Sequence, residues 1–304
     1  MGGWRVTGLR WAEGAAGPAL GWQGPAPGQS RVSGLAYGAE LGFRALGVRH
    51  CVGARGNPCP LLAVVAGRGT GARCPECARL DRAHSVAADR IADDPRTYRV
   101  YLAWFGPGMV KVGITAEQRG SARLREQGAV VFSWLGRGPL MAARRTEELL
   151  RSVLGVPDRI PYARKRAVRT ALPGIGERAA EVRALYGKAV ALRGDGWPES
   201  LEPLPFEAVD HAGVFGIEGV VGVTGAVTEL VDGGVVAGRL VAAAGPDLHL
   251  APANGGVVVL DTRLMTGWEL VVADARADVT VPVAAVGSGP GAGTGSQGVQ
   301  GGLF

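Results

Sequence analysis

The sequence contains no apolar run of the roughly 20 residues that a membrane-spanning helix needs. Its first residues, Met1-Gly2-Gly3-Trp4-Arg5, lack the charged start and the apolar block of a secretory signal peptide. Aromatic residues make up only 6% of the chain, and only 3 of its 33 basic residues are lysines, which we interpret as a compositional bias of the genome. We therefore expect a cytoplasmic protein with no membrane partner, and the sequence leaves its oligomeric state open.

The net charge of +6 is divided unevenly along the 304 residues. Residues 1–193 carry 30 lysines and arginines against 14 acidic residues, whereas residues 194–304 carry 3 against 13. This length suggests two or three domains, and such a charge difference indicates a boundary between them. The basic part favours a polyanionic partner, DNA or RNA. The alternative is that an arginine-rich genome places arginine on any solvated surface.

All four cysteines lie within 27 residues: Cys51, Cys59, Cys74 and Cys77. The last two have the C-x2-C spacing with which two thiolates hold one tetrahedral zinc ion. Residues 78–93 predict a helix that ends before Pro95, so this pair resembles the second half of a treble-clef zinc site. The first two cysteines are farther apart, and glycines between them can turn the chain back.

We predict one structural zinc ion, Zn²⁺, held by these four thiolates. Four ligands complete the tetrahedron and leave no open position, so the site would stabilise the fold and perform no chemistry. His50 and His84 are candidate substitute ligands. Two other interpretations stay open, namely four free thiols in a cytosolic protein and a redox-active or disulfide-bonded pair.

The segment after the cysteines predicts a small sheet with flanking helices. Residues 97–104 and 109–115 are β-branched and aromatic stretches on either side of Gly106-Pro107-Gly108, which predicts a hairpin. Further elements follow in the order helix (117–127), strand (130–135) and helix (140–154).

This segment resembles the GIY-YIG nuclease superfamily. Arg99-Val100-Tyr101 corresponds to the first signature and Lys111-Val112-Gly113 to the second, with Arg123 and Glu147 on the two helices that follow. A closer resemblance, over most of the chain, is to a bacterial family of unknown function, domain-of-unknown-function family 2797. The upstream cysteines carry it together with residues 100–103, 110–115, 123–129 and 215–219.

The nuclease resemblance implies a site for phosphodiester chemistry. It assigns Tyr101 to activating or positioning the attacking water, Arg123 to clamping the phosphate, and Glu147 to holding one Mg²⁺ or Mn²⁺ ion. Lys111 stands where these nucleases usually have tyrosine, and a lysine can hold a phosphate. Arg144 and Arg145 precede Glu147 by about one turn and could assist nucleic-acid binding.

Two functions follow from this resemblance. The leading prediction is a nucleic-acid-acting protein that is a metal-dependent endonuclease of GIY-YIG type. The alternative is a non-catalytic, zinc-stabilised nucleic-acid-binding or regulatory protein with a degenerate nuclease-like fold. The second signature's lysine and the missing leading glycine of the first signature favour the alternative.

A basic cluster follows the nuclease-like segment. Its members are Arg159, Arg164, Lys165, Arg166 and Arg169, with Tyr162 among them. Cations with an interleaved aromatic ring suit a phosphate backbone and stacked bases, so we predict nucleic-acid contacts here. A solvated helix face is the alternative. Residues 177–192 then predict an amphipathic helix.

The chain is thus predicted to be an α+β protein. The last β-rich part, from about residue 205, should form a small acidic β domain without a catalytic constellation. The predicted parts are an N-terminal β and four-cysteine zinc-binding region with a treble-clef-like site (1–95), a GIY-YIG-like domain of a small sheet with helices (96–157), a basic helical link (158–204), an acidic β domain (205–286) and a disordered glycine-rich tail (287–304).

Overall fold

The computed structural model of the protein describes residues 3–26, 28–83, 94–194 and 196–286. Over these residues the chain forms two β-sheets with helices, which confirms a mixed α+β fold. No helix in the described ranges is long and apolar enough to cross a membrane. The tail predicted over 287–304 and residues 84–93 of the predicted helix, with His84, lie outside the described residues.

Strands and helices are numbered in chain order through the described part of the chain. The strands are β1 (Arg5–Arg10), β2 (Ala19–Gln23), β3 (Ser30–Gly34), β4 (Glu40–Leu46), β5 (Thr97–Trp104), β6 (Val110–Ala116), β7 (Val131–Pro139), β8 (Glu202–Pro203), β9 (Val209–Asp210), β10 (Val223–Val227), β11 (Val235–Ala244), β12 (Asp247–Ala251), β13 (Val257–Asp261), β14 (Glu269–Val272) and β15 (Val283–Ala285). The helices are α1 (Pro75–Ala83), α2 (Ala122–Gln127), α3 (Leu140–Leu154), α4 (Tyr162–Val168), α5 (Ile175–Ala191), α6 (Ala212–Phe215) and α7 (Thr262–Met265).

Strands from both ends of the chain share the larger sheet. Its order is β15-β10-β13-β12-β11-β4-β14-β1-β2-β3, so the N-terminal β4 lies between two C-terminal strands. β4 pairs antiparallel with β11 from Val235↔Arg44 to Arg239↔Glu40, and β14 continues the sheet to β1. The sequence predicts two separate β regions at the two ends. In the structure they form one hydrogen-bonded sheet.

The smaller sheet has the order β6-β5-β7-β8, with β9 also on β7. β5 and α3 have the bounds that the sequence predicts, whereas the predicted helix 117–127 is divided into a 3-10 turn at Glu117–Arg119 and α2. α3 and α5 pack on this sheet. α3 ends at Gly155, whose φ of 64° is left-handed and suits a glycine.

Successive side chains of β5 lie on opposite faces of the sheet and belong to two different hydrophobic clusters. Val100 and Leu102 join a core that also contains side chains of the larger sheet, such as Leu240. Tyr101 and Ala103 point to the other face and join a smaller cluster around α2. The period of the strand therefore places Tyr101 beside α2, at the candidate site.

Candidate active-site cavity and cysteine cluster

The four residues to which the nuclease resemblance gives catalytic roles line one cavity of about 600 Å³. Tyr101 comes from β5, Lys111 from β6, Arg123 from α2 and Glu147 from α3. β5 and β6 are a hairpin, and α3 packs against both strands, so the four elements converge at this point. The fold thus brings together residues that are up to 46 positions apart in the chain.

Tyr101 is almost fully buried and faces Gly113 across the hairpin. A Cβ atom at Gly113 would collide with the phenol, so the glycine of the second signature makes room for this tyrosine. Nε2 of Gln127 donates a hydrogen bond to Oη of Tyr101 at 2.9 Å. Burial raises the pKa of Tyr101 to about 12, so at neutral pH the hydroxyl is protonated. It is therefore better suited to orient a water or a phosphate oxygen than to act as a base.

Lys111 extends into the cavity with only 8% of its surface exposed. Its Nζ donates to the main-chain oxygen of Asp158 at 3.1 Å and lies 5.6 Å from the ring centre of Tyr101. Burial, and then the charge of Arg123, lowers the pKa of Lys111 to about 8. The ammonium is still mostly charged at neutral pH and can hold a phosphate.

Glu147 is half-buried on the α3 side of the cavity. Burial raises the pKa of its carboxyl group, and the charge of Lys111 opposes that shift. Its neighbour Glu148 pairs with Arg151 at 2.6 Å and is far more exposed. Glu147 is thus the carboxylate of this helix turn that a cation within the cavity could use.

Positive charge predominates in this cavity. Its lining contains five basic residues and three acidic ones. They are Lys111, Arg123, Arg144, Arg145 and Arg151 against Glu147, Glu148 and Asp158. Arg123 pairs with Glu126 at 3.5 Å, yet 45% of its side chain stays exposed. An excess of cations around one half-buried carboxylate suits a phosphodiester anion.

Three of the five members of the basic cluster after this segment contact groups within the protein. Lys165 is buried, its Nζ donates to the main-chain oxygen of Gln127 at 3.1 Å, and it lies 3.8 Å from the ring centre of Phe105. Arg166 and Arg169 pair with Asp247 at 2.6 Å. The predicted nucleic-acid contacts of the cluster thus depend mainly on Arg159 and Arg164, which are exposed, and they stay a prediction.

The aromatic ring of Tyr162 also contacts cations of the protein itself. The guanidinium of Arg263 lies 4.2 Å from its ring centre and the ammonium of Lys165 lies 4.5 Å from it. Its hydroxyl donates to the main-chain oxygen of Glu126 at 3.2 Å. Base stacking on this ring, as the sequence suggested, would have to displace these cations.

Asp247 is the centre of this internal charge network and is fully buried. Burial alone would raise its pKa, but the charge of Arg169 and the hydrogen bonds of Arg166 hold that pKa below its ordinary value. Asp247, from the acidic part of the chain, thus neutralises Arg166 and Arg169 of the basic link.

Replacing Asp247 with Asn should lower the free energy of unfolding by about 3 kcal/mol, because Arg169 would then be buried without its counter-charge. Urea denaturation followed by circular dichroism would measure the shift. The matched control is Glu202→Gln in the exposed pair with Arg137, which should leave the midpoint nearly unchanged. Equal midpoints for both variants would show that the network contributes little.

The four cysteines form a compact buried cluster. Their Sγ atoms all lie within 4.8 Å of one another, and all four are free thiols. The main-chain N–H groups of Gly53 and Cys74 donate to Sγ of Cys51 at 3.3 and 3.2 Å. Such donors stabilise thiolates, and four buried sulfur atoms at this separation could hold one metal ion.

Local structure explains how the widely spaced first pair reaches the second. The turn between Cys51 and Cys59 contains Gly53 and Arg55 with positive φ, and residues 54 and 57 form a β-bridge. Cys77 lies in the first turn of α1. Nδ1 of His50 lies 2.8 Å from the main-chain oxygen of Leu62, and this histidine is not part of the cluster found among the described residues.

The fold and the two sites define a mixed α+β protein with a four-cysteine cluster and a separate, positively charged cavity on a small antiparallel sheet. The chain belongs to the family described as Protein of unknown function (DUF2797), which it matches over residues 38–270. This match confirms the family resemblance found in the sequence. No curated protein and no solved structure matches the chain.

Two residues of the cavity, Gln127 and Asp158, were not among the site residues predicted from the sequence. Both residues line the cavity: Gln127 contacts Tyr101, and Asp158 contacts Lys111. Neither of them lies in a signature. Gln127 ends α2 and contacts a strand 26 residues earlier, a relation that no local pattern contains. The one available signal was the position of Gln127 in the segment 123–129 that carries the family resemblance.

Proposed function

We propose that this protein acts on nucleic acid and cleaves phosphodiester bonds with the help of one divalent cation, as a GIY-YIG-type endonuclease. The observation that supports this function is the meeting of Tyr101, Lys111, Arg123 and Glu147, from four different elements, in one positively charged cavity. Four unrelated surface residues would not be expected to converge in this way. The charge of the cavity supports an anionic substrate.

Each of the four cavity residues has a different role in the proposed cleavage. Glu147 would hold Mg²⁺ or Mn²⁺, because hard cations prefer carboxylate oxygens and this carboxylate is within the cavity. Such a cation, when bound, polarises a phosphoryl oxygen. Arg123 contacts the phosphate through its exposed guanidinium, and Lys111 supplies a fixed positive charge beneath it. The protonated hydroxyl of Tyr101, held by Gln127, orients the attacking water or a phosphate oxygen.

The same structure supports structural zinc at the cysteine cluster. Four buried thiols within 4.8 Å match a closed tetrahedral site, in which all ligands are protein atoms. The metal would connect α1 to the loop that begins at Cys51. Cysteines that hold zinc and form no disulfide suit the reducing cytoplasm, which is where we place the protein.

One observation favours the alternative function, a nucleic-acid-binding or regulatory protein without cleavage. The ammonium of Lys111 extends into the cavity that contains Glu147, and its charge already counters the carboxylate. A fixed cation near the carboxylate weakens binding of a divalent ion by like-charge repulsion. Arg123 and Lys111 would then serve as phosphate contacts only.

Labelled DNA and RNA of several structures, incubated with Mg²⁺ or Mn²⁺, test the proposed function. We expect cleavage of at least one substrate that stops when the divalent ion is chelated. Binding of the same substrates without cleavage, under all these conditions, would replace this function by the alternative.

Binding should depend strongly on salt under either function. Each neutralised phosphate releases counterions, so the logarithm of the affinity should fall with the logarithm of salt concentration at a slope of roughly −0.7 to −0.9 per contact. With three or four phosphate contacts in the cavity, we expect a slope of about −3, measured by fluorescence anisotropy. A flat response would mean that the positive charge of the cavity does not contact nucleic acid.

A further inference from the structure

A second cavity, of about 540 Å³, adjoins the candidate active-site cavity. Arg123 lines both of them. No residue of this second cavity other than Arg123 has a role in the proposed cleavage. Its position beside the phosphate clamp suggests that it receives the part of a ligand that continues beyond the scissile phosphate.

Three distant parts of the chain form the walls of this cavity. The cysteine region contributes Arg73 and Arg82, the larger sheet and α7 contribute Arg263, and α2 contributes Arg123 and Glu126. The lining also includes four threonines, Thr7, Thr70, Thr262 and Thr266. Four arginines thus converge from three separate parts of the chain.

The charge of the second cavity is positive, like that of the first. Its lining contains four arginines and two carboxylates, those of Asp81 and Glu126. One of the four, Arg263, is already paired with Asp261 at 2.6 Å. Asp81 pairs with Arg73 at 3.3 Å, and both side chains keep 40% of their surface exposed. Arg82, the next residue of α1, is also exposed. The lining of each cavity therefore has more cations than carboxylates, and Arg123 belongs to both linings.

We propose that a single nucleic-acid strand runs from the active-site cavity past Arg123 into this second cavity, so that the substrate has a single-stranded segment next to the scissile phosphate. The inference rests on the proposed nucleic-acid function. A volume of about 540 Å³ lies in the range of pockets that enclose compact ligands, about one or two nucleotides. A compact space of that volume is only about 10 Å across, which is narrower than the roughly 12 Å major groove of a duplex, so the cavity suits one strand and not a whole duplex.

This path gives the cysteine cluster a part in recognition. Arg73 directly precedes Cys74, and Arg82 lies on the helix that contains Cys77. A metal ion bound to the four thiolates would therefore fix both arginines relative to Arg123. The cluster would not touch the substrate, but it would position the side chains that do.

The test compares two arginines of α1. Arg82 lines the second cavity, whereas Arg79, one turn earlier, pairs with Glu76 and lines neither cavity. Both are exposed, so neither Arg82→Ala nor Arg79→Ala should unfold the protein. The probes are a labelled blunt duplex and the same duplex with a single-stranded arm on either end, each made of DNA and of RNA.

We expect the wild-type protein to prefer a probe with an arm. Arg82→Ala should weaken binding of that probe about three- to tenfold and reduce its salt slope by about one, with little effect on the blunt duplex. Arg79→Ala should behave as the wild type. Circular dichroism and bound-metal content would verify that both variants are folded.

The outcomes separate this inference from the proposed function. Cleavage that requires Glu147, combined with an equal effect of Arg82→Ala on blunt and armed probes, would overturn the strand path and leave the function intact. A wild-type protein without preference for an arm would also overturn it. Arm-specific binding that depends on Arg82, without cleavage of any probe, would support the path and reject the nuclease function.

Discussion

Replacing Glu147 with Gln should reduce metal-dependent cleavage by about 1000-fold or more while leaving nucleic-acid affinity within a few-fold of the wild type. The amide keeps the shape of the side chain but removes the charge that would hold Mg²⁺ or Mn²⁺. Affinity should persist because the proposed phosphate contacts come from Arg123, Lys111 and the arginines of α3. Single-turnover cleavage rates and anisotropy titrations, made on the same preparation, measure the two effects separately.

The neighbouring residue supplies a matched control. Glu148 lies on the same helix, but it pairs with Arg151 and is 61% exposed. Glu148→Gln should therefore cleave within about two- to threefold of the wild type, since an exposed ion pair contributes little. If Glu147→Gln and the wild type cleaved at the same rate, the metal site would lie elsewhere or a contaminating nuclease would be responsible.

Removing the metal from the cysteine cluster should unfold the cysteine region, because metal binding supplies much of the folding energy of such sites. In zinc-finger peptides a structural zinc ion contributes about 10–16 kcal/mol near neutral pH. The purified protein should contain about one zinc ion per chain. Strong chelators should make all four thiols reactive towards a thiol reagent and lower the melting temperature.

Cys77→Ser and His50→Ala distinguish the ligands from their neighbours. Cys77 is a member of the cluster, so its serine variant should lose the metal and melt at a lower temperature. His50 is bound to Leu62 instead, so His50→Ala should retain about one zinc ion. A metal-free wild-type protein with an unchanged melting temperature would return the cysteines to the open alternative of free thiols.

Unfolding of the cysteine region should also destabilise the adjoining part of the larger sheet, because Arg49 connects the two. This buried guanidinium donates to the main-chain oxygens of Thr266 and Arg263 at 2.8 Å, and to those of Ala66 and Gly69 at 2.9 Å. It thereby joins the cysteine region to the segment that positions Arg263 in the second cavity. Chelation should consequently weaken binding of armed probes more than binding of blunt duplexes.

The local elements of this protein could be predicted from short-range patterns in the chain. β5, the β6 hairpin partner and α3 follow from side-chain period, from turn residues and from terminating glycine, all of which act over a few residues. The close spacing of Cys74 and Cys77 likewise indicated a metal site without reference to the rest of the chain. The catalytic candidates came instead from the resemblance of this segment to the GIY-YIG superfamily.

The arrangement of these elements depends instead on contacts between distant residues, which the folded molecule alone reveals. β4 pairs with a strand almost 200 residues later, and Arg169 finds Asp247 across 78 residues. A basic run looks the same in the sequence whether its charges face solvent or meet carboxylates from another part of the chain. Burial and ion pairing are properties of the packed molecule, which is why neither the internal contacts of Lys165, Arg166 and Arg169 nor the second cavity had a signal in the sequence.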